Sequence, residues 1–317
     1  MHKRSLIKEN IMKQYFNLAA TFIIGSLLLI TPACSSDGDD IVDYNIVDVA
    51  EGPSKNDVLS IPTDATYLGD SIRYTRTYAL NTHPIKKVSA STTQNGHIAI
   101  FGGYKEQTAI YIYAKADNES IDLTDEQIKT ILEKYYNIES YANDTEIVAN
   151  VSEKSDATQG TDYRKLRVSI KIFTPESVST SLSIAKGSIM VKNISGNRHI
   201  AKSISGTIKY IDSSGRNFTV ESESGYIGMI NTSASESMNT KLSKGNIQLV
   251  LPKGTKASLD LQSSTNINAY ILNGSNFKGT NSKTKVQGKL NGGGFQINSV
   301  SGVGVIVFRW YENNEKY

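Results

Sequence analysis

The sequence predicts an all-β chain built as stacked coils, and three observations carry that prediction. Gly187-Ser188-Ile189, Gly206-Thr207-Ile208, Gly225-Tyr226-Ile227 and Gly245-Asn246-Ile247 return at spacings of 19, 19 and 20 residues, and a fixed period near 20 marks a repeat architecture. Each copy holds two short alternating runs: Ile189 and Val191 then Ile200 and Ile204, Ile208 and Tyr210 then Phe218 and Val220, Ile247 and Leu249 then Leu259 and Leu261. Glycine accepts a positive φ at a corner, and the isoleucine two residues on then points inward by strand alternation. A fifth copy, Thr265-Asn266-Ile267, keeps the period without the glycine. A meander of hairpins in a sandwich fits the same period.

The N-terminus reads as an export signal over residues 1–33. His2, Lys3, Arg4, Lys8 and Lys13 precede an apolar run of 13 residues, Leu18 to Ile30, short of the roughly 20 a membrane-spanning helix needs. Ala33 then precedes Cys34, the single cysteine of the chain, so no internal disulfide is expected. Small residues before a lone cysteine at the end of such a leader resemble a bacterial lipoprotein processing site, which implies acylation of Cys34 and a membrane anchor there. Thr31 stands where lipoproteins usually carry leucine. Ser35, Ser36, Asp37, Asp39 and Asp40 resemble the surface-export signal of Bacteroidetes-type lipoproteins, which implies an outer-membrane protein facing outward.

Residues 34–70 read as an acidic tether and N-terminal extension, with Gly52-Pro53 and Pro62 and little periodicity. Residues 71–174 form an N-terminal β region. Ile72, Tyr74, Tyr78 and Leu80 alternate as a half-buried strand, Val88 to Ala116 gives two strands, and Gly96-His97-Ile98 is an early copy of the repeat unit. One helix interrupts it near 124–137: Thr124 caps it, Gln127 completes a capping box, and Ile128, Ile131, Leu132 and Tyr135 make one apolar face suited to cover an open end of the β core. After a loop from Glu153 to Asp162, Arg164 to Phe173 alternates again. Residues 175–310 carry the repeats, as five or six coils with polar outward positions, and 311–317 are a polar tail.

Charge excludes one class of function. The chain has 34 Lys and Arg against 31 Asp and Glu. The leader holds four of the bases (Lys3, Arg4, Lys8, Lys13) and one of the acids (Glu9), which leaves 30 against 30. A neutral body lacks the basic field that nucleic-acid binding requires.

The unit Lys244-Gly245-Asn246-Ile247-Gln248-Leu249-Val250-Leu251-Pro252-Lys253-Gly254-Thr255, followed by Ala257-Ser258-Leu259-Asp260-Leu261, resembles the bacterial putative-adhesin family of β-strand-repeat proteins, a domain of unknown function. The resemblance runs from about Val88 to Phe308 and includes Gly292-Gly293-Gly294 and Gly302-Val303-Gly304-Val305. It implies a right-handed, single-stranded β-solenoid on the cell envelope, with adhesion proposed and no catalytic residues defined. Thr265 and the helical insertion depart from the pattern.

The chemistry in the sequence is sparse. His83, His97 and His199 share no metal-ligand spacing, and no Gly-x-Ser-x-Gly elbow is present. Glu221 and Glu223 share a strand face, a spacing compatible with an acid pair, and Asp212 with Arg216 is the nearest approach to a polysaccharide-lyase constellation. Both read more simply as a solvated face and a turn. Tyrosines cluster at Tyr104, Tyr111 and Tyr113, and tyrosine suits contact with proteins and sugars. The expectation is a non-catalytic surface lipoprotein that binds an unknown protein or glycan, with the contact surface sought beside the helical insertion at those tyrosines, and with no cofactor, metal or nucleic acid. An envelope scaffold or stress-sensing component contacting another membrane protein is the alternative, and a carbohydrate-active β-helix enzyme the third.

Overall fold

The computed structural model describes residues 71–79, 85–104, 107–118, 120–142, 145–160 and 163–312. Cys34, Ser35, Ser36, Asp37, Asp39, Asp40 and His83 lie outside them. The described chain is mostly β, with one α-helix and a single large open sheet. In chain order the elements are β1 (Ser71–Ala79), β2 (Lys87–Phe101), β3 (Gln107–Ala116), α1 (Asp125–Tyr135), β4 (Tyr136–Ala142), β5 (Glu146–Glu153), β6 (Leu166–Phe173), β7 (Ser179–Lys192) and β8 (Arg198–Ile211). Then follow β9 (Ser214–Ile230), β10 (Ser233–Leu251), β11 (Ala257–Ser263), β12 (Asn266–Asn268), β13 (Phe277–Asn281), β14 (Lys285–Leu290), β15 (Phe295–Val303) and β16 (Val305–Trp310).

The repeat unit sets the register. β7, β8, β9 and β10 pair in parallel, so that Gly187 lies beside Gly206, Gly206 beside Gly225 and Gly225 beside Gly245, with Ile189, Ile208, Ile227 and Ile247 aligned two residues on. The early copy joins the same ladder, Gly96 against Gly187 and Ile98 against Ile189. Each long strand turns at its glycine. The leading half before the corner and the trailing half after it contribute to one core: Val88, Leu182, Ala201, Val220 and Leu242 from leading halves, Ile98, Ile189, Ile208, Ile227 and Ile247 from trailing ones.

The corner demands glycine twice over. Gly206 has φ 132°, a region that a side chain strains, and a Cβ there would lie 1.8 Å from the Gly187 carbonyl oxygen. The same clash repeats up the stack at Gly225 and Gly245. At the opposite corner Asn193, Asp212 and Asn231 hold φ of 58°, 50° and 47°, the left-handed region that Asn and Asp tolerate best after glycine. Their amides donate to the neighbouring strand, at the carbonyls of Ile211, Ile230 and Val250 respectively, and Asn231 Nδ2 donates to Asp212 Oδ1 at 2.8 Å. Asp212, a candidate for ion chemistry in the sequence, is thus a corner residue.

Chain order and stacking order part company at both ends. The sequence places Thr265-Asn266-Ile267 directly on the Gly245 coil, but β15 and β16 come between them. Gly245 is followed at the stack by Gly304, whose added Cβ would lie 1.8 Å from the Gly245 oxygen. Ile247 faces Ile306, and Ile306 faces Ile267. The closing Gly302-Val303-Gly304-Val305 run therefore joins two strands inserted between β10 and the β11–β12 pair. The turn that ends the consecutive run is the Pro252–Thr255 segment, where Gly254 has φ 80° and Thr255 Oγ1 donates to Pro252 O at 2.6 Å. β11, β14 and β13 finish the sheet with antiparallel pairs. At the other end β5 and β6 lie parallel to the leading and trailing halves of β2, and β4, β3 and β1 pair antiparallel outside them.

Thr265 works as a corner because serines replace the glycine. Ser263 Oγ accepts the Thr265 and Asn266 amides at 3.0 and 3.1 Å and donates to Gly304 O at 2.7 Å. The helix forms as its capping box predicts, with Thr124 Oγ1 accepting from Gln127 N and Gln127 Oε1 from Thr124 N at 2.8 Å. Its Ile128, Ile131, Leu132 and Tyr135 enter the main core between β3 and β4, so it covers the end of the stack.

Two expectations about faces change. Ile200 and Ile204 do not point inward: Ile204 is 56% exposed, and His199, Ala201 and Ser203 occupy the inner positions. The outward positions of the trailing halves are not a solvated polar face either, since Phe101, Tyr111, Phe173, Met190, Ile211, Ile230 and Val250 form a second buried cluster there.

Candidate functional site

The leading halves present a broad outer face to solvent. One row crosses it strand by strand: Tyr141, Val148, Ser89, Ser181, Ile200, Thr219, Asn239, Asn298, Asp260, Gln287 and Thr280. A second row holds Glu139, Asn150, Ser91, Ser183, Lys202, Glu221, Lys241, Val300, Gln262 and Lys285. Strand alternation puts these side chains on the face away from the core, and in-register stacking repeats them at about 4.8 Å.

Hydrogen bonds hold the rungs in place. Asn298 Nδ2 donates to Asn239 Oδ1 at 2.8 Å, and Gln296 Nε2 donates to Asn298 Oδ1 at 2.9 Å. Asn239 Nδ2 donates to Ser237 Oγ at 3.2 Å, and Ser237 Oγ to Asn217 Oδ1 at 2.7 Å. Asn217 Nδ2 continues to Glu236 Oε2 at 2.8 Å, and Glu236 pairs with Arg216. The Arg216 hydrogen bond, then that of Asn217, holds the Glu236 carboxyl below the usual carboxylate range. At the far edge Lys87 and then Ser89 do the same to Glu146, from 2.8 and 2.6 Å. The result is a hydrogen-bonded lattice of amide, hydroxyl and charged groups.

Glu221 and Glu223 lie on this outer face, and Lys202 Nζ binds Glu221 at 3.0 Å. Arg216 belongs to the Glu236 pair, so Asp212 and Arg216 serve separate structural contacts. His199 is in the core: Nε2 donates to Gly196 O at 3.0 Å and Ser214 O at 3.1 Å, Nδ1 faces Thr180 Oγ1 at 3.1 Å, and its ring stacks on Phe218. Burial outweighs those carbonyls and lowers its pKa from 6.5 to about 4. Among the described residues no three His, Cys, Asp or Glu side chains come together as a metal site.

Tyr104, Tyr111 and Tyr113 come together, as their sequence clustering suggested, with Tyr111 and Tyr113 on β3 and Tyr104 in the loop before it, but at 2%, 0% and 0% exposure. The helix packs into the other cluster, on the opposite side of β3. Phe173 meets Tyr104 edge-on at 4.9 Å and Tyr111 at 6.0 Å, and stacks on Phe101 at 5.5 Å. Lys171 Nζ lies 5.0 Å from the Phe101 ring and 5.2 Å from that of Phe173, with its pKa lowered by burial to about 7. Sequence reasoning missed the polar lattice, although Asn217, Asn239 and Asn298 would have revealed it once the register was known.

No protein-family model matches this chain, and no curated protein matches it. Among solved structures, the chain is similar to a putative cell adhesion protein from Clostridium sporogenes, at 12% identity and a TM-score of 0.39, over 75% of this chain and 99% of that one. It is also similar to a putative lipid binding protein from Parabacteroides distasonis, at 12% identity and a TM-score of 0.26, over 74% and 96% of the two chains. No helix among the described residues is long and apolar enough to cross a membrane.

Proposed function

We propose that this protein is an envelope lipoprotein, anchored through acylated Cys34 and carried to the cell surface by its Ser-Asp segment, whose body mediates attachment without catalysis. The body is read as a right-handed β-solenoid with one inserted coil, in keeping with the parallel 19-residue register. The order of its Gly-x-Ile units, which resembles the putative-adhesin family, supports the same reading. The observation that carries the proposal is the row from Tyr141 to Thr280, in which nine of eleven strands set hydroxyl, amide or carboxylate groups in register, interrupted by Val148 on β5 and Ile200 on β8. Fixed polar groups at a repeated spacing lose little side-chain entropy on binding. They suit a glycan, itself a repeat of hydroxyl groups, as the partner.

The test is a glycan array probed with the purified chain and with Asn239→Arg/Asn298→Arg, a change confined to outward positions. Binding that the double variant abolishes supports this face as the contact surface. Binding that the variant leaves unchanged, or no glycan bound at all while cross-linking in cells captures an envelope protein, overturns it in favour of the scaffold reading.

A further inference from the structure

The body is neutral as a whole, but its charge is segregated along the sheet. Residues 117–156 hold eleven Asp and Glu against three Lys, and they supply α1, β4 and β5. Residues 237–311 hold nine Lys and Arg against one acid, Asp260, and they supply most of β10 and the strands from β11 to β16. β4 and β5 flank one end of the leading halves, and β11, β14 and β13 finish the other. At that second end four exposed lysines stand on the outer face. Lys278 and Lys289 lie in the row of Ser237, Gln296 and Ser258, and Lys241 and Lys285 in that of Val300 and Gln262. Between them runs the row of Asn239, Asn298, Asp260, Gln287 and Thr280.

Two features set these lysines apart from a merely solvated edge. Lys278 and Lys289 are directly opposite each other in an antiparallel pair, where side chains of like charge lie about 5 Å apart and repel. Among the described residues no carboxylate pairs with Lys241, Lys278, Lys285 or Lys289, whereas Lys87, Lys202 and Arg216 further along the face each hold one. Asp260, the one acid of this end, accepts from Gln262 Nε2 at 3.0 Å. The second feature is spacing. At about 3.3 Å per residue, the two lysine rows stand about 13 Å apart, one on each side of the amide and hydroxyl row. Resting on the glycan-binding reading of this face, we propose that its β10 to β13 end takes an acidic polysaccharide, laid across the strands along the Asn239–Thr280 row. Its hydroxyls meet the amides, and its carboxylates or sulfates meet the lysines on either side and relieve their repulsion. The three rows from β10 to β13 carry no aromatic ring, which a single-stranded nucleic acid needs for stacking. Their one large apolar side chain is Val300, too little to insert into a lipid surface.

Surface plasmon resonance of the purified chain over immobilised polygalacturonate, dextran sulfate and dextran separates carboxylate, sulfate and neutral polymers. The expected result is binding to one or both acidic polymers about tenfold or more tighter than to dextran, and weakened by added salt. Lys278→Gln/Lys285→Gln/Lys289→Gln, at exposed positions, is expected to lose about tenfold of that affinity and to melt no lower than the parent. Asp260→Asn is expected to bind the acidic polymer more tightly. Acidic-polymer binding that the triple variant keeps in full overturns the proposal, as does equally tight binding to duplex DNA or to phosphatidylserine vesicles. Assembly in sedimentation that the triple variant abolishes, with no polymer bound, also overturns it, because the acidic end of a second copy would then be the partner. Dextran bound as tightly as the acidic polymers overturns it while leaving the glycan reading in place, and a chain that binds no glycan of either kind removes both.

Discussion

A Cβ placed on Gly206 would sit 1.8 Å from the carbonyl oxygen of Gly187, the residue stacked beneath it 19 positions earlier. Gly187 stands in the same relation to Gly96 at 1.9 Å, and Gly304 to Gly245 at 1.8 Å. The glycines are therefore the points at which one strand rests directly on the backbone of the next. The Gly-x-Ile repeat is a packing constraint as well as a conformational one.

Gly206→Ala should lower stability by about 3 kcal/mol or more, since left-handed strain alone costs roughly 1–3 kcal/mol and the clash with Gly187 forces the paired strands apart. Gly274→Ala, where no atom lies within 4 Å of the added Cβ, should stay within about 0.5 kcal/mol of the parent. Urea unfolding of the two variants checks both.

The opposite corner makes a milder prediction. Asp212→Ala loses the acceptor of Asn231 and keeps the positive φ, and should cost about 1–2 kcal/mol. Asp212→Gly relieves the φ and should recover most of that loss in the same unfolding assay.

Ser263→Ala should cost about 1–3 kcal/mol, because it leaves the Thr265 and Asn266 amides and the Gly304 carbonyl without their shared hydroxyl. Ser264→Ala, on an exposed residue, should cost less. A thermal melt that ranks them in reverse would mean that the serine is not what turns the fifth corner.

His199 makes stability depend on pH. Its folded pKa is lowered from 6.5 to about 4, so between those values the unfolded chain binds a proton that the folded chain refuses. Its contribution is complete above pH 6.5 and falls away as pH drops toward 4, by roughly 3 kcal/mol in all. Denaturant midpoints at pH 7 and pH 4.5 should differ more for the parent than for His199→Gln.

Much of the stack was legible in the sequence because its signal is local. The Gly-x-Ile spacing, the early copy at Gly96 and the Thr124 capping box each depend on residues close in the chain, and each is present in the structure. The insertion of β15 and β16 was not legible, since Gly245 meets Gly304 only after β11 to β15 have intervened in the chain. The inner positions of β8 misled for a chemical reason. His199 and Ser203 point into the core while Ile200 and Ile204 point out, so hydrophobicity reported the wrong face of the strand. The tyrosine cluster reads as a contact surface only until Tyr104, Tyr111 and Tyr113 prove to be buried. Asn193, Asp212 and Asn231 recur every 19 residues as plainly as the glycines, and that second ladder was readable from spacing alone.

Protease shaving of intact cells tests the central claim of an outward-facing, lipid-anchored body most directly. The account predicts release of the body while a periplasmic control survives, with an acylated fragment beginning at Cys34 left in the membrane. A body that stays protected while a known surface protein is cleaved would contradict it.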